Sequence, residues 1–571
     1  MAEDKGIDKE KGEDTKLKDQ DSNKFNGTGN DQEKEDGREE EKKKKHNGPP
    51  GGLDQTPIPS HYVGFTLKFT FHRAKNLPMA DYTTLSSDPY IAAELKTSVP
   101  KRHDKEDPIM VWRTPTVHHN TDPEWNCEWI VANVPSSGFR LKARLYDEDP
   151  NDYDDRLGNI HVNVDSIHEN WEGIKEQSYS LKKRMGSKRA YLIRSCASMF
   201  NRDIHMSGEV TISVEMLGKS PAEYKGRVYT VGPCHWSQHY SPLIGRIAGT
   251  KDPEEKKSEK TVEKYDFQAN QIQLQGPVPE QLYHRYVEFR PFVKGMFTGH
   301  TIRGWVLNHA LHHQHSRIYS FDKKTVYGSF PSPSKEMTLK FLDLVHYDQG
   351  GRIYTYVLTL DGQWRFTETG KEFGIDLLSK HTMHSDVSIY IAWSGEFFVR
   401  RLKNKYKDPE EQETHPPADI GSGAPKDEPP KDPPYYQLVI DNDSGTYRPN
   451  AGLLPILKKF LKRNLPGMKI TTLDCGADSE KMEKMKNEQR ERRKEGGNRA
   501  YAQHDAGSIS SSDEEAVDTV EGQGKERGKL SQLGHDIKQP EKKIVDWAEG
   551  GGKKEREKRE GDDDRAVGGW G

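Results

Sequence analysis

Two groups of aspartates are the residues of this chain best placed to do chemistry. Asp81 and Asp88 fall in Leu77-Pro78-Met79-Ala80-Asp81-Tyr82-Thr83-Thr84-Leu85-Ser86-Ser87-Asp88-Pro89-Tyr90. Asp147, Asp149 and Asp155 fall in the stretch from Leu145 to Gly158. Neither group contains Cys or His, so both offer hard oxygen donors, the ligand type that suits Ca²⁺. Asp147 and Asp149 are two apart, so in extended chain they share a face while Glu148 points away. Carboxylates a few ångströms apart repel by several kcal/mol on the order-of-magnitude scale of an intermediate dielectric, and a cation is then needed to hold them together.

The elements that must position these residues are strands. Phe65-Thr66-Leu67-Lys68-Phe69-Thr70-Phe71 alternates with period two, and Ala92–Leu95, Phe139–Tyr146 and Gly208–Met216 follow suit. Each acidic group lies on turn-forming sequence after such a run. Short strands separated by turns build an antiparallel sandwich whose loops gather at its two ends, so two remote acidic loops can meet at one end.

These residues resemble a C2 domain over roughly 61–217. Ser87-Asp88-Pro89-Tyr90 is similar to the family's SDPY signature, and Thr121-Asp122-Pro123-Glu124-Trp125-Asn126 to its NPxWN turn. Asp147-x-Asp149 followed by Asp155-Arg156-Leu157-Gly158 is similar to its calcium loop. The resemblance implies an antiparallel β-sandwich, a Ca²⁺ cofactor and an anionic phospholipid membrane surface as partner. It makes Asp81, Asp88, Asp147, Asp149 and Asp155 the metal ligands. The first loop is one residue longer than the commonest family spacing, which bears on Asp81, and Asp154 competes with Asp155 for the last position. Tyr82, Leu85 and Tyr153 at the loop tips are the lipid-binding residues. Their apolar bulk is modest, so salt-sensitive electrostatic docking is expected. Lys96, Lys101, Arg102 and Lys105, and the cluster Lys182-Lys183-Arg184 with Lys188-Arg189, are basic surface that could supplement it.

The bulk composition sets the limits. Of 571 residues 32% are hydrophobic and 31% charged, with mean hydropathy −0.99, so much of the chain cannot bury a core. The net charge of −4 gives no bulk reason to expect nucleic acid. Four scattered cysteines without CxxC spacing fit neither a zinc knuckle nor a disulfide framework, and they suit a reducing, cytoplasmic compartment. No apolar run reaches membrane-spanning length and the start is not a secretory signal, so membrane association is expected to be peripheral.

The fold class expected is mainly β with α+β. Residues 1–59 form a disordered charged tail and 60–218 the C2-type sandwich. A second α+β domain follows at 221–405, a Pro-rich linker at 406–434, a small βαβ-like unit at 435–477, and a charged helix with a disordered tail at 478–571. In the second domain, Tyr283 to Val293 and Trp305 to Leu311 have helical spacing. Met337 to Val345 and Arg352 to Thr359 read as strands. Hairpin turns are expected at Asp361-Gly362 and at Ser394-Gly395. Lys481 to Lys494 is either a solvent-exposed helix or a basic coil.

Other chemistry is less well supported. His309 and His313 stand one helical turn apart, workable for zinc, but no HExxH glutamate accompanies them and a polar helix face is the commoner outcome. Cys234-His235 and His239 are treated alike. There is no GxSxG elbow, P-loop or kinase set. Asp441-Asn442-Asp443-Ser444 departs from the aspartyl phosphatase motif and reads as a turn. Ser511 and Ser512 sit in an acidic context similar to casein kinase 2 sites. The layout as a whole resembles uncharacterised fungal C2-domain-containing proteins, which implies architecture and no activity. The reading is therefore a non-enzymatic, calcium-dependent membrane adaptor, with protein partners through its C-terminal regions. The alternatives are a C2-targeted enzyme acting on lipids or phosphoesters with its site in 221–405, and a calcium-independent protein-interaction C2 domain.

Overall fold

The computed structural model describes chiefly residues 62–80, 86–103, 107–148, 154–182, 208–222, 226–244, 264–285, 325–348, 350–369, 390–402, 431–444 and 448–495, with isolated positions between them. The chain divides into Met1–Gly48 and Pro49–Gly571, and all described residues belong to the second unit. The charged tails, His309, His313, Ser511 and Ser512 lie outside the described residues.

The first strands are β1 (Phe65–Lys75), β2 (Pro89–Lys96), β3 (Met110–Arg113), β4 (Glu124–Val134), β5 (Phe139–Asp147), β6 (Asp155–Val164), β7 (Ile174–Ser180), β8 (Glu209–Lys219) and β9 (Tyr229–Gly232). They form a five-stranded sheet, β7-β8-β1-β4-β9, and a four-stranded sheet, β3-β2-β5-β6. The alternation read in β1 is what buries Phe65, Leu67, Phe69 and Phe71 on one face. They pack with Trp129, Ile91 and Leu145 into one core between the sheets, where Phe139 meets Phe69 edge-on at 5.2 Å. Every pairing in the two sheets is antiparallel. The connections 76–88, 114–123 and 148–154 therefore emerge at the same end.

Strand β9 follows the expected edge of the sandwich at residue 218 and pairs with β4, completing the larger sheet. The chain then runs through β10 (Cys234–Ile244), β11 (Lys264–Gln273), β12 (His284–Arg285), β13 (Val326–Phe330), helix α1 (Lys335–Leu344), β14 (Ile353–Leu358), β15 (Gln363–Thr369), β16 (Tyr390–Ile391), β17 (Trp393–Leu402), β18 (Ile420–Gly421), β19 (Tyr436–Ile440), α2 (Leu454–Asn464), β20 (Lys469–Thr472) and α3 (Ser479–Glu495). One nine-stranded sheet runs β13-β10-β11-β15-β14-β17-β19-β20, with β18 on β17. The β19-α2-β20 unit is parallel, as the sequence implies, and extends this sheet because β19 pairs with β17. Helices α1 and α2 cover one face through Phe341 and Leu457, packed with Trp364, Phe366 and Phe397. Helix α3 lies on the other face, with Met482 and Met485 on Phe398 and Val439.

Two expectations are corrected. Met337–Val345 is not a strand but most of α1 and the residue that follows it. The Ser334 side chain caps its start by accepting from the Met337 N–H, and Met337, Phe341, Leu342 and Leu344 are buried at helical spacing. Ser394-Gly395 is not a turn but the interior of β17, paired with Val357 and Tyr356. A Cβ on Gly395 would lie 2.2 Å from the Asp441 carbonyl oxygen, so this glycine serves close backbone approach. The Asp361-Gly362 hairpin is present, with Gly362 at φ +87° between β14 and β15.

The sandwich is joined firmly to the sheet behind it. Trp112 of β3 donates its indole N–H to His235 Nε2 of β10 at 2.8 Å. His103, in the β2–β3 connection, stacks on Tyr390 at 4.2 Å.

Candidate metal centre

Three of the five candidate ligands stand at strand ends on one end of the four-stranded sheet. Asp88 immediately precedes β2, Asp147 closes β5 and Asp155 opens β6. Pro89 pairs with Asp147, and Asp147 with Asp155. Neighbouring strands lie about 4.8 Å apart, so this register sets Asp155 beside Asp147, while Asp88, one residue before Pro89, reaches Asp147 through its backbone N–H. Asp81, Asp149 and the loop-tip residues Tyr82, Leu85 and Tyr153 lie outside the described residues.

Local hydrogen bonds explain the SDPY stretch residue by residue. The buried Ser87 hydroxyl donates to the Pro78 carbonyl at 2.7 Å and accepts from the Ala80 N–H at 3.0 Å, closing the base of the loop that carries Asp81. The Asp88 N–H donates to Asp147 Oδ1 at 2.5 Å, and the Glu148 N–H to the Asp88 carbonyl at 3.0 Å. The first and third loops are thereby tied to each other. Pro89 and Ser87 accept from Val117 and Asn120 of the second loop. The Asp122 carboxylate of that loop accepts from the Asn76 N–H at 2.7 Å.

Sequence reasoning missed the partners of Asp88. His119 donates its backbone N–H to Asp88 Oδ1 at 2.7 Å, and His118 Nδ1 lies 3.1 Å from Oδ2. His119 adopts φ +55°, a left-handed conformation that turns its N–H toward the carboxylate. The adjacent His118-His119 before the NPxWN-like turn was the available signal.

The remaining acids have separate work. Glu148 faces away from these aspartates, as expected, and pairs with Arg113 at 2.6 Å while accepting from the Thr116 hydroxyl. Tyr90 donates its hydroxyl to Asp154 Oδ2 at 2.5 Å. Burial first, and then Asp154, push the Tyr90 phenol pKa upward. Arg113 stacks over the Tyr90 ring at 3.7 Å. Among the described residues no group of three or more His, Cys, Asp or Glu side chains gathers closely enough to hold a metal ion. The donors that are in place, carboxylate oxygens at a loop-bearing sheet end, have the chemistry of a hard-cation site.

The outward face of β2, β5 and β6 is basic. Lys96 pairs with Arg140, and Lys142 with His161. Glu94 is bridged to Arg144. Partial burial, then the neighbouring Arg144, lowers the Lys142 pKa, and burial with Lys182 and Lys142 lowers that of His161.

Residues 65–181 match the family model of the C2 domain. This part of the chain is a C2 domain. Among solved structures, the C2A domain of plant Extended Synaptotagmin 1 is 16% identical, with 28% of this chain and 99% of that one covered and a TM-score of 0.20. The calcium-bound C2A and C2B domains of Extended-Synaptotagmin 2 are 16% identical, covering 37% and 79%, TM-score 0.20. Human GIVD cytosolic phospholipase A2 is 14% identical, covering 38% of this chain and only 26% of the enzyme, TM-score 0.21. No curated protein matches the chain.

The histidines proposed for a second metal site do not assemble one among the described residues. His235 is engaged by Trp112, and burial pushes its pKa down to about 4. His239 is buried with neither ring nitrogen hydrogen-bonded, its pKa pushed to about 3 by burial and by Arg113 and Arg365. No helix among the described residues is long and apolar enough to cross a membrane.

Proposed function

We propose that this protein is a cytoplasmic, peripheral membrane adaptor whose C2 domain docks on anionic phospholipid when Ca²⁺ binds its loops. The observation that supports this reading is the meeting of Asp88, Asp147 and Asp155 at adjoining strand ends, with Asp147 opposite Asp155 and bonded by the Asp88 N–H, in loops whose sequence also holds Asp81 and Asp149. These five would hold the metal. Asp155 is preferred over Asp154 because it stands directly opposite Asp147. Bound Ca²⁺ supplies positive charge that offsets the carboxylates and attracts phosphate oxygens. The residues of the chain orient the site. Ser87 fixes the first loop, Asp147 accepts the Asp88 N–H, and His118 and His119 hold the Asp88 carboxylate. Four free cysteines agree with a reducing compartment. Sedimentation with phosphatidylserine vesicles should rise with Ca²⁺ and fall on chelation. Asp88→Asn with Asp147→Asn should remove that response, and binding that ignores Ca²⁺ would sink the switch.

The basic outer face supports a calcium-independent component. Lys96, Arg140, Lys142 and His161 stand on one sheet surface, where burial first, and neighbouring cations after it, lower the pKa values of Lys142 and His161. Such a surface attracts anionic headgroups with strong salt dependence.

A further inference from the structure

The far edge of the large sheet carries a run of cations with no acid among them. From Ser444 to Leu473 the chain holds Arg448, Lys458, Lys459, Lys462, Arg463 and Lys469, and neither Asp nor Glu. Two of these cations are spent inside the fold. Arg448 bonds to Asp443 at 2.7 Å, and Arg463 donates to the carbonyls of Gln275 and Pro277, each at 3.2 Å. The four lysines make no ion pair or hydrogen bond among the described residues. Helix α2 explains why three of them face outward. It buries Leu457, Phe460, Leu461 and Asn464, which leaves Lys458, Lys459 and Lys462 exposed, three or four residues apart. Strand β20 ends the sheet, and its first residue, Lys469, closes the row Arg400, Gln437, Lys469 across β17, β19 and β20. Lys469 is half-buried, and burial, then Lys458 and Arg400, lower its pKa. Gln437, between the two cations of the row, is 7% exposed. It donates Nε2 to Thr471 Oγ1 at 2.6 Å, while its Oε1 has no hydrogen bond.

Four lysines gathered at a sheet edge without acids are complementary to a carboxylate-rich surface. Anionic lipid and an acidic protein segment both carry such charge, and the place of the patch in the fold separates them. The C2 domain meets the large sheet at β10, through Trp112 and His235. It meets the sheet again at Tyr390, through His103 in the β2–β3 connection, which leaves β2 at the end opposite Asp88. The sheet is therefore attached away from the aspartate loops, and β20 stands six strands beyond β10, about 29 Å on. A bilayer docked on those loops lies on the other side of the C2 domain. The stretch also lacks what insertion needs, since no exposed large apolar side chain among the described residues falls between Ser444 and Leu473.

We infer that the α2–β20 edge is a docking surface for an acidic segment of a partner protein, held by Lys458, Lys459, Lys462 and Lys469. The inference rests on the adaptor reading and gives the membrane-docked protein a soluble partner at the end of the sheet remote from the C2 domain.

A fluorescein-labelled, glutamate-rich peptide titrated with the full-length chain in chelator tests this by anisotropy. Binding should tighten as salt is lowered. Lys458→Ala with Lys462→Ala should weaken it about tenfold. Lys481→Ala with Lys484→Ala, the same change of charge at exposed positions of α3, should leave it unaltered. Calcium-dependent sedimentation with phosphatidylserine vesicles should be the same for wild type and both variants. Equal losses from the two pairs would reduce the binding to a general attraction for polyanions and overturn the inference. If wild type ignores the peptide yet still sediments with vesicles in Ca²⁺, the inference falls and calcium docking stands. If the peptide binds with the expected losses and Ca²⁺ has no effect on vesicle binding, the surface stands and the switch falls. Loss of vesicle binding in the Lys458→Ala, Lys462→Ala variant would assign the patch to lipid and overturn the protein assignment.

Discussion

The C2 sandwich and the nine-stranded sheet behind it keep their titratable residues in opposite places. In the sandwich the space between the sheets is filled by Phe, Trp, Leu, Ile and Val, and Asp88, Asp147 and Asp155 stand at strand ends beside loops. The large sheet has one apolar face under α1 and α2, whereas its other face mixes a buried polar row with the apolar patch under α3. His239, Ala269, Thr367, Thr355 and Glu396 follow one another directly across β10, β11, β15, β14 and β17, so they share that face. At its far end Lys486 of α3 reaches Glu396 at 2.6 Å and Asp441 at 2.7 Å. The same residue types therefore serve different ends. At the loop end the carboxylates are held by backbone N–H groups and a histidine ring, whereas inside the sheet a lysine of the chain holds them.

Acidification should separate the two regions most sharply. His239 and His284 are buried and His235 half-buried, with pKa values pushed down to about 3, 4 and 4 mainly by burial. A depressed histidine means that the unfolded chain binds the proton first, so stability is lost as pH falls below about 6.5. Each contributes about 1.4 kcal/mol per pH unit through that window. Asp441, raised to about 6 chiefly by burial, opposes this weakly, since its protonation favours the folded state as pH falls through 6. Denaturant melts between pH 7 and pH 4.5 should show a steep net loss. His239→Leu should make it shallower by about one proton, with little cost at pH 7 because neither ring nitrogen has a partner. An unchanged slope would place the acid sensitivity elsewhere.

Replacing Lys486 tests whether the buried acids depend on their internal cation. Lys486→Met leaves Asp441 (side chain 1% exposed) and Glu396 (10%) facing each other without the lysine that bridges them. The expected cost is about 3–5 kcal/mol at pH 7, partly recovered below pH 6 as the carboxylates protonate. Vesicle binding by the folded variant should match wild type, because the triad lies far along the chain from the C2 loops. Urea melts at pH 7 and 5 check both parts.

How legible each region was follows from the same difference. The acidic loops announce themselves because carboxylates recur there at short, fixed spacing, with Ser87, Pro89 and Trp125 supporting them nearby. The helix at Lys335–Leu344 was hidden because the half-buried Leu339 completes a false alternation with Met337 and Phe341. Ser334 as an N-cap, followed by Glu336, was the better signal. Gly395 mimics a turn because close approach to Asp441 demands the same residue. The buried triad left no local trace, since Glu396, Asp441 and Lys486 come together only through strand pairing and the docking of α3. Helix α3 reads as solvent-facing for the same reason, until Met482, Met485 and Lys486 find the sheet.

The junction between the regions offers a smaller effect. Trp112→Phe keeps a ring against Phe71, 5.1 Å away and stacked, but removes the donor to His235 and leaves a buried imidazole nitrogen unsatisfied. The cost should be about 1–3 kcal/mol. The transition should remain single if Trp112–His235 and His103–Tyr390 act together, and calorimetry on wild type and variant decides this. Two resolved transitions in the variant would mean that the indole hydrogen bond alone couples the regions.

The smallest effect on stability should come from the residues that matter most for function. Asp88→Asn and Asp147→Asn each preserve an amide oxygen able to accept the same backbone N–H groups, from His119 and from Asp88. They also remove the mutual repulsion of carboxylates at the loop end. These changes oppose one another, so the double variant should melt within about 1 kcal/mol of wild type in chelator. Ca²⁺ should raise the wild-type melting temperature by mass action on the folded state and leave that of the variant unmoved. A variant that is badly destabilised without Ca²⁺ would place these aspartates with the Lys486 triad as structural acids. The contrast between loop-end acids that respond to an added cation and sheet acids that carry their own would then fail.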